Sequence, residues 1–285
     1  MIATVVVPAL GSAGSLLASA STVPASTVLA DKEFEPPGTG LFQFPPLFSI
    51  GGFDVTKPMV LAILAALVVI VFFYLGTSKM ALVPGRLQSM TELGYLFVRD
   101  QVARSIIGAK KGDRWVPLLV SLFFFVWIMN LFSVIPLAQF PVTSRIAYPA
   151  ILSLMVWLLF LGLGLKIQGP IGYFKNLMFP PGIPKAVYII LAPLELISTL
   201  FVRPFTLAVR LFANMFAGHV LIAFFSLVAW HFIVEAPGPG ILVGAVGFVM
   251  TIIMTAFEMF IQALQAFIFT LLAAVYIQSS VEVSH

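Results

Sequence analysis

The chain has 285 residues, of which 61% are apolar and only 9% charged, and it contains no cysteine. A soluble domain carries about a quarter charged residues, so an ordinary cytosolic globule is excluded; the missing thiols exclude disulfides, iron–sulfur ligation and thiolate catalysis. The formal charge is +4, but the Lys and Arg are thinly spread, which excludes a nucleic-acid stripe, and His219, His231 and His285 are too scattered for a metal site.

That composition predicts an integral membrane protein. Residues 1–30 carry no charge. A secretory signal opens with Lys or Arg, and this stretch has neither, although Val28-Leu29-Ala30 before Asp31 resembles a cleavage step. A cleaved signal and an uncleaved tail therefore both stand. A Pro- and Gly-rich linker follows over residues 31–57. The tail and linker (1–57) precede a membrane domain (58–285).

Apolar runs at Pro58–Leu75, Trp115–Leu137 and Ala147–Leu165 are each long enough to predict a conventional transmembrane helix. Between the first two, residues 77–114 are mixed. Leu93, Leu96, Phe97, Val102, Ile106 and Ile107 recur at helical spacing among Arg, Lys and Asp, which predicts an amphipathic helix on a membrane face, with a solvated loop as the alternative. Segments 77–114 and 166–187 together hold ten Lys or Arg, against Lys32, Lys57 and Arg145 on the other side. The positive-inside rule then places those segments in the cytoplasm, the N-terminus outside and the C-terminus inside.

From Val187 to Gln278 two apolar arms flank the turn signal Glu235-Ala236-Pro237-Gly238-Pro239-Gly240. As helix, each arm is roughly 60 Å long, twice the hydrocarbon thickness. Each is either two spans or one steeply tilted helix. No polar break interrupts either arm, and Pro204 would kink rather than end a membrane helix, so a hairpin of two long tilted helices is favoured.

Ionisable groups inside spans are costly and mark function. The first arm holds Glu195, Arg203, Arg210 and His219, and the second Glu258. Snorkelling accounts for Arg203. Arg210 stays protonated even when buried and must meet an acid, water or another chain. Helical phase puts Thr199, Arg203, Arg210 and Asn214 on one stripe. On the second arm it aligns Gly240, Gly244, Gly247, Thr251, Thr255, Glu258, Gln262 and Gln265, small residues for close approach running into polar interhelical partners. A turn near Gly238 sets Asn214 level with Gln262, Arg210 with Gln265, and His219 with Glu258, the last an imidazole–carboxyl couple suited to proton exchange. His219 points away from Arg210 on an ideal helix, so either the arm bends at Ala217-Gly218 or the histidine opens on a separate pocket.

The segment Arg203-Pro204-Phe205-Thr206-Leu207-Ala208-Val209-Arg210-Leu211-Phe212-Ala213-Asn214-Met215 resembles the signature of the membrane-embedded subunit a of F-type ATP synthases. Gln262-Ala263-Leu264-Gln265-Ala266-Phe267-Ile268-Phe269 resembles that family's C-terminal signature, and Asn130-Leu131 with Pro136 its second-span motif. The resemblance covers roughly residues 41–285 and implies a stator beside a rotating ring of proteolipid c subunits, each bearing one essential carboxylate. It implies that Arg210 faces this carboxylate, that Asn214 and Gln265 flank it, and that His219 and Glu258 lie in the half-channel open to the outside, with Gln262 nearby. The acid and histidine are swapped between helices relative to some members. Glu195 is a weaker candidate for the other half-channel, and Ser133 stands where some members have an acid, whose role is not carried over. The family further implies a bacterial plasma membrane, a peripheral stalk subunit b, the rest of the complex and membrane lipid as partners. It implies no cofactor, no nucleic acid and no catalysis in this chain. The rival readings are a stand-alone secondary transporter binding an anion at Arg210, for which no internal repeat speaks, and an intramembrane enzyme, for which no dyad is present.

Overall fold

The computed structural model describes residues 47–50, 53–78, 81–135, 138–179, 187–235, 238 and 240–281. The possible signal over residues 1–30, most of the linker, and Pro136 of the second-span motif lie outside the described residues. Among the described residues, five helices are long and apolar enough to cross a membrane: Lys57–Thr77, Ala109–Leu131, Ala147–Gln168, Tyr188–Glu235 and Ile241–Val281. The chain is a multi-pass, predominantly α-helical membrane protein.

The end of the linker is not featureless. Strands β1 (Phe48–Ile50) and β2 (Phe53–Val55) pair antiparallel. Gly51-Gly52 between them is a two-residue hairpin sequence, a signal that the composition-based reading passed over.

Helix α1 (Lys57–Thr77) carries Pro58 in its first turn, where the missing N–H costs nothing. It is apolar on all sides and buries the seam Leu61, Ala65 and Val69 at four-residue spacing, leaving the rest for lipid. Rings of Phe72 and Phe73 meet Phe124 of α3 (Val116–Leu131). The apolar run reaches Leu137, but α3 stops at Leu131, where the backbone tightens and Ser133 and Val134 donate to the Asn130 and Leu131 carbonyls three residues back.

The predicted amphipathic segment is helical as α2 (Arg86–Val98), but its stripe is broken. Val98, Val102 and Ile107 are buried, whereas Leu93 is 71% exposed. The turns over Arg99–Ile107 widen to i→i+5 hydrogen bonds, which rotates the later residues out of phase with the earlier ones. Gly108, at φ 93°, then reverses the chain as only glycine does cheaply. Arg104 closes the reversal with a two-pronged bond to Asp113 at 2.7 and 2.9 Å. A hydrogen bond from Arg99 holds the Asp100 carboxyl below its ordinary pKa, so this face keeps its ionic pairs near neutral pH.

Residues 138–146 are no solvated loop. Phe140, Val142 and Thr143 are fully buried, and the turn Val142–Ser144 tucks between helices. Helix α4 (Ala147–Gln168) turns through Gly169 into the short α5 (Pro170–Met178).

Each long arm is one helix rather than two spans: α6 (Tyr188–Glu235) has 48 residues and α7 (Ile241–Val281) has 41. Pro204 does not end α6. The turns over Ser198–Val202 widen just before it, and the Thr199 carbonyl accepts a hydrogen bond from Trp157 Nε1 of α4 at 3.1 Å. The same widening shifts helical phase, so the expected stripe divides: Thr199 is fully buried while Arg210 and Asn214 are exposed.

Helices α6 and α7 form an antiparallel pair whose closest approach is at glycine. A Cβ on Gly247 would lie 3.1 Å from the Ala229 nitrogen and 3.2 Å from the Phe225 carbonyl oxygen, both rigid backbone. Gly247→Leu therefore has to part the arms, at a cost on the order of 1–3 kcal/mol. Gly162→Leu, with nothing within 4 Å of its Cβ, serves as the control. Thermal denaturation in detergent is expected to show a lowered midpoint for the first and none for the second. Thr251 and Thr255 do not bridge the arms as expected; their hydroxyls bond back to the Gly247 and Thr251 carbonyls of their own helix.

Candidate functional site

Helix α7 brings Glu258, Gln262 and Gln265 onto one face, 3%, 0% and 2% exposed, by three- and four-residue spacing. Gln262 Nε2 donates to Glu258 Oε1 at 3.3 Å and to Ser133 Oγ at 2.5 Å. Gln265 Oε1 accepts from Asn214 Nδ2 of α6 at 2.8 Å. Asn130, on α3, accepts at Oδ1 from the Thr143 hydroxyl at 2.5 Å. The result is a buried polar column, running from α6 through α7 to the end of α3, inside otherwise apolar packing.

The column is incompletely satisfied. Among the described residues, Glu258 Oε2, Gln262 Oε1, Gln265 Nε2 and Asn130 Nδ2 of the column are buried without a hydrogen-bond partner, as is Thr199 Oγ1 outside it. Such groups cost free energy, about 1–3 kcal/mol each, and a concentration of them marks a site rather than a core. A cleft of about 240 Å³ opens beside the column, bounded by Asn214, Gly218 and Leu221 on α6 and by Met254, Phe257 and Glu258 on α7. A buried carboxyl with one free oxygen at such a cleft can take up and release a proton, and the amides beside it can orient the groups through which the proton passes.

The expected depths hold at the backbone. Gly218 faces Glu258, whose Cδ would sit 3.3 Å from an added Cβ, and Gly244 and Gly247 face residues 228–233. The side-chain partners are displaced, however: Gln265 meets Asn214 rather than Arg210, and Gln262 meets Ser133 and Glu258 rather than Asn214. Helical side chains lean toward their own N-termini, so in an antiparallel pair the residues that touch carry higher numbers than those lying level. His219 follows Gly218 in α6, which stays helical through Ala217-Gly218 without the bend considered above. Its ring meets Phe140 of the buried 138–146 segment edge-on at 6.4 Å, so the histidine packs toward that segment.

The two arginines separate. Arg203 does not simply snorkel; its guanidinium donates to Glu195 at 2.8 Å and lies over the Tyr276 ring at 5.5 Å. Glu195 is thereby joined to Arg203 and stands apart from the polar column. Arg210 is exposed on the outer side of α6, and among the described residues no acid pairs with it and no hydrogen bond holds it. Ala213 and Ala217, one and two turns further along α6, are exposed as well.

Sequence reasoning named Ser133 without giving it a role and missed Thr143; the two complete the column. Ser133 stands alone in an apolar run three residues after Asn130, which was the available signal.

Residues 59–278 match the family model described as ATP synthase A chain. Proteins named ATP synthase subunit a are similar over nearly their whole length. That of Streptomyces lividans is 47% identical over 259 residues, covering 88% of this chain and 89% of its own. That of Frankia alni is 46% identical over 255 residues, with 88% and 87% covered. That of Rhodococcus erythropolis is 36% identical over 254 residues, with 88% and 92% covered.

Proposed function

The chain belongs to the ATP synthase A chain family, and from that premise we propose that its α6–α7 pair is the stator surface on which proton transfer turns a ring of c subunits. The observation that carries this reading is Arg210. A guanidinium keeps its charge in hydrocarbon, where an unpaired charge is costly, yet this one faces outward from an apolar helix without a described acid. Its counter-charge therefore belongs to another chain. A carboxylate passing on each ring subunit supplies it, and small Ala213 and Ala217 on the same face let the ring helix come close.

The mechanism follows from where the polar groups sit. Near Arg210 the opposite charge favours the ionised ring carboxylate, so the proton must leave before that carboxylate passes. The fixed cation also keeps protons from crossing directly between two access paths. The cleft at Glu258 and Asn214 is the path from the outside, with Gln262, Gln265 and Ser133 orienting it and His219 serving its other wall. The second path opens from the cytoplasm near Glu195, whose pairing with Arg203 fixes its mouth. Arg210 lies between the two along α6, with α6 and α7 tilted steeply across the ring. Segments 77–114 and 166–187 and the C-terminus lie in the cytoplasm of a bacterial plasma membrane, with α2 on its surface. Residues 58–285 form one membrane domain, and residues 1–57 lie outside.

The chain itself performs no catalysis; its 285 residues hold no phosphate-cradling Gly-x-x-x-x-Gly-Lys-Ser/Thr loop. ATP is made elsewhere in the complex, where stalk subunit b holds the stator. No observation favours the stand-alone transporter. Disulfide crosslinking in the intact complex tests the reading. A cysteine at exposed Ala213 is expected to link to one placed beside the ring carboxylate, and a cysteine at buried Met215 is not. Absence of any link from Ala213 would overturn the proposed surface.

A further inference from the structure

Helices α1, α3, α4 and α7 enclose a groove of about 370 Å³. Its floor is Leu122, Leu152 and Ala273, all buried, and its rim is Ile70 and Met155, 66% and 47% exposed. The groove opens between these two apolar rim residues. Ser121 is the one hydroxyl in the lining, and it is already committed to the Pro117 carbonyl at 2.8 Å. A water molecule needs two to four polar partners and finds none here.

Charge at one end of the groove narrows the occupant. Arg114 stands four residues before Leu118, one helical turn above the lining of α3. Lys166 follows Met155 and Leu159 on one face of α4, about 10 Å beyond Leu159. Gln262 of α7 meets Ser133 just past the end of α3, and Gln168 at the end of α4 donates to the Ser280 carbonyl near the end of α7, so α3 starts at the end where α4 and α7 finish, and both cations lie toward that end. Both are exposed, and among the described residues neither is in an ion pair.

We propose that this groove seats one anionic phospholipid, with an acyl chain along Leu122 and Leu152 and its headgroup phosphate between Arg114 and Lys166. An aliphatic chain satisfies an apolar cavity, and basic pockets between helix ends bind acidic headgroups in the leaflet they face. The inference requires only that the chain lies in a bilayer, so it stands or falls separately from the role of Arg210.

Photolabelling of the intact complex in vesicles tests it, using phosphatidylglycerol and phosphatidylcholine that each carry a diazirine in the acyl chain. Phosphatidylglycerol is expected to label groove peptides of α1, α3 and α4 severalfold more than phosphatidylcholine. The Arg114→Gln/Lys166→Gln double variant is expected to lower that labelling to the phosphatidylcholine level without changing labelling at Ile252 and Ile253 on the outer face of α7. Ala273→Phe, which fills the floor, is expected to abolish labelling by both lipids; should it fail to assemble, the double variant carries the test. Equal labelling by the two lipids, or a preference that survives the double variant, would overturn the proposal. So would a groove protected in the complex but labelled in the isolated full chain, which would assign it to a partner's helix.

Discussion

Replacing Glu258 with leucine is expected to lower passive proton flux through the membrane sector by about a hundredfold or more, the scale of losing a positioned acid–base group. The carboxyl is 3% exposed, accepts one bond from Gln262 and leaves Oε2 without a partner beside the cleft. Glu258→Gln can still accept from Gln262 but has no proton to exchange, so it is expected to fail equally. Neither change should harm assembly, because each removes a buried, half-satisfied acid rather than a completed pair. Flux in vesicles stripped of the catalytic head, alongside the amount of assembled subunit, checks both points. If His219 serves the same path, the His219→Ala/Glu258→Leu double variant falls no lower than the worse single one; strictly additive losses would separate the two residues.

Much of this arrangement is legible in the sequence where hydrophobic length and helical phase decide it. The three shorter apolar helices follow from apolar runs, and the unbroken arms follow from the absence of any polar interruption, with Pro204 absorbed by widened turns. The face shared by Glu258, Gln262 and Gln265 follows from spacing alone. What is not legible depends on departures from ideal helix or on distant chain. The widened turns at 99–107 and 198–202 break two stripes that a uniform period joins. Ser133 reaches Gln262 across 129 positions of sequence, and Thr143 reaches Asn130 from a segment with no periodicity to reveal that it is buried. The displaced Asn214–Gln265 bond needs the lean of side chains, which depth arithmetic omits.

Arg210 carries the largest expected effect on coupling. Two unit charges 4 Å apart interact by about 4 kcal/mol at the effective dielectric of a partly exposed site. Loss of a term that size is expected to lower coupled turnover by about two to three orders of magnitude, comparable with removing a preorganised electrostatic contact elsewhere. The fold should not notice, since among the described residues Arg210 makes no ion pair or hydrogen bond whose loss would leave a buried partner.

The most direct measurement is therefore ATP synthesis by the Arg210→Ala complex in sealed vesicles under an imposed proton gradient. The expected result is a fully assembled complex that makes no ATP above background while protons still leak through its membrane sector. Proton-driven ATP synthesis at the unmodified rate would contradict it.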